Sequence, residues 1–178
     1  MSFSAEGQLS ALDARVADIV ADVGGCVSIL VSPGELPRFV VAERLVPLGS
    51  ALIPHLIKLL RAPETDRDLR GCAALLGFTA GDREDCAMAL MDEIEENGPW
   101  SLLAARRLAD AGYPGAMSAI ERALRRIDSS SVDALVGLLH AFQSAGGYLS
   151  IDLRESLEAG GHWQVVTAVH ELFPESAP

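Results

Sequence analysis

Apolar residues recur along most of this chain at the spacing of one face of an α-helix. In the segment SVDALVGLLHAF the apolar positions follow the i, i+3, i+4, i+7 pattern: Val132, Leu135, Val136, Leu139 and Phe142. Comparable stripes run through most of the chain from residue 34 onward. The pattern therefore predicts an all-α protein.

Glycines close the helical segments at nearly regular intervals. Apolar stretches end at Gly49, Gly81, Gly112 and Gly146, which are 32, 31 and 34 residues apart. Glycine adopts the left-handed conformation after a helix at little steric cost, so it is common at this position. A second amphipathic segment follows each of these glycines. A repeated unit of helix, glycine turn and helix is the pattern of an α-solenoid.

The period predicts one domain over residues 1–178, with about 8–10 helices arranged as repeats between two terminal caps. The repeats cover 34–61, 64–97, 99–127 and 130–160, and the caps cover 1–33 and 161–174. In the first cap, LDARVADIVADVGG predicts a helix capped by Gly24 and Gly25. The next run, CVSILVS, fits a helix or a strand. We favour a helix, because a lone strand would have no pairing partner.

The segment ETDRDLRGCAALLGFTAGDREDCAMALMDEI resembles the HEAT-like repeat of bacterial proteins, the type that also occurs in bilin lyases. In that repeat an Asp-x-x-Arg segment precedes an Ala- and Leu-rich helix that ends in glycine. The candidates here are Asp66 or Asp68 with Arg70. ALIPHLIKLL resembles the second helix of a HEAT unit, with Pro54 in its first turn. The resemblance covers about residues 34–127 and implies a right-handed α-solenoid of antiparallel helix pairs.

The charge is strongly acidic and unevenly distributed. A formal net charge of −11 opposes binding to nucleic acid or to an anionic membrane, since both need a positive surface. Residues 82–97 carry a net charge of −6, whereas residues 98–127 carry +3 through five arginines. The acidic net charge favours a basic protein as partner.

Five acids on the helix DREDCAMALMDEIEEN define what we call the acidic ridge: Asp85, Asp92, Glu93, Glu95 and Glu96. Asp85, Asp92 and Glu96 lie opposite the apolar stripe, and Glu93 and Glu95 widen the surface. One interpretation is pairing of these acids with arginines of the next unit, among them Arg122, Arg125 and Arg126. The other is a docking surface for a basic partner, with Trp100 beside it.

Catalytic and metal-binding motifs are missing from the sequence. Cys26, Cys72 and Cys86 are far apart and lack zinc-like spacing, and no two histidines have the spacing of a metal-binding pair. The glycine-rich segments lack the strand-to-helix framing and the lysine of a phosphate loop. We therefore expect no enzymatic activity, no cofactor and no metal.

The sequence predicts a cytoplasmic protein, because it has no run of eighteen or more apolar residues and no basic start followed by an apolar core at its N-terminus. We expect a protein-interaction module. Small acidic helical-repeat proteins of bacteria include immunity proteins, so the most specific expectation is neutralisation of a basic toxin domain. The alternatives are a scaffold or assembly subunit and a bilin-lyase-like protein that holds a tetrapyrrole. A HEAT-like DNA glycosylase is disfavoured, because the only indoles are Trp100 and Trp163 and the basic segment is short.

Overall fold

The computed structural model describes residues 23–34, 36–81 and 84–174. Within these ranges every regular element is a helix and no strand occurs. The all-α prediction is confirmed, and so is the helical interpretation of the run that begins at Cys26. The predicted opening helix before Gly24 lies mostly outside the described residues.

The described residues form two compact units: unit 1 ends at Ala89 and unit 2 begins at Leu90. The helices are α1 (Val23–Val31), α2 (Arg38–Leu45), a 3₁₀ segment (Val46–Leu52), α3 (Ile53–Arg61), α4 (Arg67–Ala80), α5 (Asp85–Glu95), α6 (Ser101–Asp110), α7 (Ala116–Arg126), α8 (Val132–Ser144), α9 (Ile151–Ala159) and α10 (Trp163–Leu172). The boundary between the two units falls within α5.

All four glycines at the predicted helix ends have positive φ angles. The values are 55° for Gly49, 117° for Gly81, 58° for Gly112 and 78° for Gly146. Gly81 is the C-cap of α4 and donates its N–H to the carbonyls of Gly77 and Phe78. The prediction of glycine-terminated helices is therefore confirmed at Gly81, Gly112 and Gly146, whereas Gly49 lies inside the 3₁₀ segment and not at the end of a helix.

The predicted cap at Gly24 and Gly25 is wrong, since both residues lie inside α1. Glycine in a helix interior costs roughly 0.5–1 kcal/mol relative to alanine. The residues that follow offset this cost, because Cys26, Ile29 and Leu30 are all buried. Tertiary packing thus stabilises a helix that includes a pair of residues that usually ends one.

Helix α4 forms the centre of unit 1 and packs against α2 and α3. Asp66 is its N-cap, and the Asp66 carboxylate accepts a hydrogen bond from the N–H of Leu69 at 2.8 Å. Arg38 of α2 forms ion pairs with Asp66 and Asp68. Arg70 instead donates to backbone carbonyls. The acids of the Asp-x-x-Arg motif therefore pair with Arg38 rather than with Arg70.

Helices α6, α8 and α10 pack side by side in unit 2, α6 on α8 and α8 on α10. Helix α7 packs against α8, and α9 packs against α10. The core includes Leu108, Leu139 and a pair of phenylalanines, Phe142 and Phe173, whose ring centroids are 6.0 Å apart. Apolar burial between helices therefore accounts for the packing of this unit.

One stretch of the described chain, Arg38–Arg61, is long and apolar enough to cross a membrane by length and composition alone, since a window of 18 residues within it has a mean hydropathy of 1.4. The core helix of a soluble protein passes the same test. Gly49, with φ 55° and ψ −138°, divides the stretch into α2, the 3₁₀ segment and α3. A continuous membrane-spanning helix would need uninterrupted backbone hydrogen bonds.

Candidate functional site

The members of the acidic ridge have different surroundings in the structure. Asp85 forms an ion pair with Arg61 at 2.7 Å within unit 1. Arg61 lies in the last turn of α3 and Asp85 in the first turn of α5, so each charge complements the dipole of its own helix. Asp85 is thus partly neutralised by its own chain.

Glu95 is likewise paired, in this case with arginines of α7. Arg122 donates a hydrogen bond to the Glu95 carboxylate, and an Arg126 nitrogen lies 3.9 Å from it. The hydrogen bond from Arg122 lowers the pKa of Glu95. Arg125 forms ion pairs elsewhere, with Asp152 at 2.7 Å and with Glu121 at 2.9 Å. Pairing between neighbouring helices therefore accounts for Glu95.

The prediction that Glu93 is exposed on the ridge is wrong, because its residue surface is only 6% exposed. Its carboxylate accepts a hydrogen bond from the backbone N–H of Trp100 at 2.9 Å. A methyl group at Gly98 would lie 1.9 Å from the same carboxylate, which therefore packs directly over that glycine. Glu93 therefore stabilises the turn between α5 and α6.

This turn also defines the position of Trp100, the other predicted partner-binding residue beside the ridge. Asn97 has a positive φ of 51°, and Gly98 donates its N–H to the backbone carbonyl of Glu93 at 2.9 Å. Trp100 is the half-buried N-cap residue of α6. The turn residues Asn97 and Gly98 are visible in the sequence, but the reach of Glu93 depends on the conformation of this turn.

Asp92 and Glu96 remain as the exposed members of the ridge in unit 2, and we call them the acidic pair. Glu96 donates its N–H to the carbonyl of Asp92 at 3.0 Å, so the two residues are one helical turn apart. Asp92 forms no ion pair with any cation in the described part of the chain. Partial burial, together with the carboxylates of Glu95 and Glu96, raises the pKa of Asp92. The acidic pair is the part of the ridge that fits a docking surface.

The cysteines lie in apolar surroundings. Cys26, Cys72 and Cys86 are free thiols and are all buried. Burial, followed by the charge of Asp68, raises the pKa of Cys72 to about 12. Since the thiolate is the nucleophilic form, this thiol is unreactive at neutral pH. Among residues 23–34, 36–81 and 84–174, no group of three or more His, Cys, Asp or Glu could hold a metal ion.

Unit 2 also contains a groove of about 1010 Å³ that the sequence did not indicate. We call it the C-terminal groove. The end of α8, the loop after Gly146, the helix α9 and the end of α10 line it. Tyr148, which is 90% exposed, stands at its edge. The position of Tyr148 after Gly146 and Gly147 was the only feature of the sequence that pointed to this site. The walls of the groove come from separate segments of the chain.

Comparison with known proteins gives no family for this chain. No family model, no curated protein and no solved structure matches it significantly. The HEAT-like resemblance therefore rests on the residues of the chain itself.

Proposed function

We propose that this protein is a non-enzymatic, cytoplasmic interaction module that binds a basic protein, most specifically a bacterial immunity protein that neutralises a basic toxin domain. The observation that carries the proposal is the acidic pair of Asp92 and Glu96. It presents two exposed carboxylates of like charge at the C-terminal end of α5, and Asp92 has no cationic partner within the described part of the chain.

This arrangement of charge lowers the stability of α5. Like charges four residues apart destabilise a helix by roughly 0.2–0.5 kcal/mol. Acids at a helix C-terminus also oppose the dipole, and the last turn of α5 contains no basic residue. Partial burial, followed by the charges of Glu95 and Glu96, raises the pKa of Asp92. Surface arrangements that lower the stability of a protein are common at binding sites, where a partner can offset the cost.

A basic partner would replace this repulsion by attraction. The net charge of −11 extends the effect, because a strongly acidic surface accelerates the encounter with a cationic protein. Complementary charge affects association rate and specificity more than affinity. Both properties suit an inhibitor that must reach a toxic domain before that domain reaches its target.

We further propose that the fold is a right-handed α-solenoid of antiparallel, HEAT-like helix pairs. In a solenoid the first helix of each pair packs against the first helix of the next pair. The side-by-side packing of α6, α8 and α10 supports such a row in unit 2, and the packing of α2 on α4 supports such a row in unit 1. Ion pairs support a second row in unit 2, because Arg122 of α7 pairs with Glu95 of α5 and Arg125 of α7 pairs with Asp152 of α9. Solenoids present extended surfaces of this kind to partners.

The test is affinity capture from the source organism with three forms of the protein. The wild type should enrich a basic protein, and Asp92→Lys/Glu96→Lys should lose it. The matched control is Glu43→Lys/Glu64→Lys, which makes the same change in net charge at two exposed acids of unit 1 and should retain the partner. Circular dichroism verifies that all three forms are folded.

The immunity role is tested with the captured partner. Expression of the partner alone should inhibit growth, and co-expression of the wild-type protein should restore it. The association rate should fall steeply as ionic strength rises. Retention of the partner by Asp92→Lys/Glu96→Lys would show that the acidic pair is not part of the binding surface. A partner without toxicity would contradict the immunity role.

A further inference from the structure

The C-terminal groove lies under two of the most exposed apolar side chains of the described chain. Tyr148 is 90% exposed and Ile151 is 78% exposed, and both line the groove. Leu172 and Phe173 also line the groove, and the ring centroids of Phe173 and Phe142 are 6.0 Å apart. Exposed apolar groups beside a formed groove are typical of a binding surface rather than of a solvated one.

The side chains that line the groove carry a net negative charge, although Arg154 is one of them. One nitrogen of the Arg154 guanidinium donates a hydrogen bond to the carbonyl of Phe173, and the other lies 3.7 Å from Glu158. Arg154 therefore joins α9 to the end of α10, and its charge is already engaged. The charged residues of the lining are Arg154, Glu155 and Glu158, which together carry a net charge of −1.

Glu158 also has an acceptor that the described residues leave unsatisfied. Its Oε1 atom is buried and accepts no hydrogen bond from the described part of the chain. Arg154 Nη1, 3.7 Å away, and His170 Nε2, 3.6 Å away, already face this atom. The exposed Glu155 is therefore the carboxylate of the lining that can meet an entering cation.

We propose that the C-terminal groove receives an arginine or lysine side chain, with a neighbouring apolar residue, from a basic protein partner. This inference rests on the proposed function and names a docking site separate from the acidic pair. The cation lies against the face of the Tyr148 ring and its N–H groups reach Glu155. The apolar neighbour packs against Ile151 and Leu172 and covers them from water.

The probe is the tripeptide acetyl-Leu-Arg-Leu-amide, compared with acetyl-Leu-Glu-Leu-amide. Each peptide is added to the ¹⁵N-labelled full chain, and the amide signals of Gly146 and Gly147 report binding at the groove. The arginine peptide should shift both signals in a saturable manner. The glutamate peptide should shift them little, because it meets carboxylates instead of a cationic partner.

Variants test the two recognition elements separately. Tyr148→Ala should weaken the arginine peptide about threefold or more, through loss of the cation–π contact. Glu155→Gln should weaken it about twofold to fivefold, through loss of a charge-assisted contact. The matched control is Glu171→Gln, an exposed acid of α10 outside the groove lining, which should bind the peptide like the wild type.

Several outcomes would overturn the inference. These are equal binding of the glutamate peptide, unchanged glycine signals, or equal weakening by Glu171→Gln and Glu155→Gln. Shifts of the same signals with protein concentration alone would assign the groove to a second copy of the chain. Asp92→Lys/Glu96→Lys should bind the peptide normally, so failure at the groove and failure of the proposed function can be distinguished.

Discussion

Gly77 of α4 and Cys86 of α5 are in direct contact in unit 1. A methyl group at position 77 would lie 2.4 Å from the sulfur of Cys86 and 3.6 Å from Leu56. The absence of a side chain at Gly77 therefore permits the close approach of the two helices. We expect Gly77→Ala to destabilise the protein by about 1–3 kcal/mol through overpacking, despite the better helix propensity of alanine.

The double variant Gly77→Ala/Cys86→Ala tests the cause of this destabilisation. Removal of the sulfur makes room for the new methyl group, so the double variant should be more stable than the sum of the two single changes predicts. Urea unfolding of the four forms measures the coupling. Strict additivity would show that the contact with Cys86 is not what limits position 77.

Asp92→Asn should raise the thermal stability slightly at neutral pH. The pKa of Asp92 is raised in the folded state, so its ionised form opposes folding and this cost fades as the pH falls through the folded pKa. The gain should be about 0.3–0.5 kcal/mol at pH 7 and should vanish below the ordinary pKa of 3.8. Thermal unfolding between pH 3 and pH 7 measures it, with Glu95→Gln as a contrast that should destabilise. A lower melting temperature for Asp92→Asn would contradict the charge argument.

The ionised Asp152 carboxylate should stabilise the fold, whereas the ionised Asp92 carboxylate opposes folding. Hydrogen bonds from Ser150 and Arg125 lower the pKa of Asp152 to about 2. Its contribution is therefore present above the ordinary pKa of 3.8 and is lost as the pH falls toward about 2. Asp152→Asn should melt at a lower temperature than the wild type at pH 6. The two melting curves should converge near pH 2, and a constant difference across the range would exclude the ionised carboxylate as the cause.

Glu93 should be required for stability and not for partner binding. Glu93→Ala removes the acceptor for the Trp100 N–H and should cost about 1–2 kcal/mol, whereas Glu93→Gln keeps an oxygen acceptor and should cost less. Gly98→Ala should also destabilise, because a methyl group there displaces the Glu93 carboxylate. Chemical denaturation compares the variants. Loss of partner capture by folded Glu93→Gln would show that Glu93 takes part in partner binding.

The sequence predicted what local chemistry determines. Gly81 and Gly112 end helices because glycine tolerates a positive φ, and this preference acts within a few residues. Gly24 and Gly25 carried the same signal, but both lie within α1, where Cys26 and Leu30 are buried. A local preference of about 1 kcal/mol was thus outweighed by packing that the sequence does not reveal.

The site was predicted less well because helical periodicity assigns a face but not a partner. It placed Asp92 on the exposed side of α5, as the structure does. It could not show that Glu93 turns back to Trp100, since this depends on the positive φ of Asn97. The C-terminal groove was missed because its walls come together only when α8, α9 and α10 pack.

The burial of all three native cysteines makes the protein a convenient template for site-specific spectroscopy. Maleimide reagents need an accessible thiolate, and none of the native sulfurs offers one on the folded surface. A cysteine introduced by Tyr148→Cys or by Glu96→Cys should therefore take up a single fluorophore or spin label without prior removal of native residues. Each label would report the arrival of a partner at its own surface as it occurs.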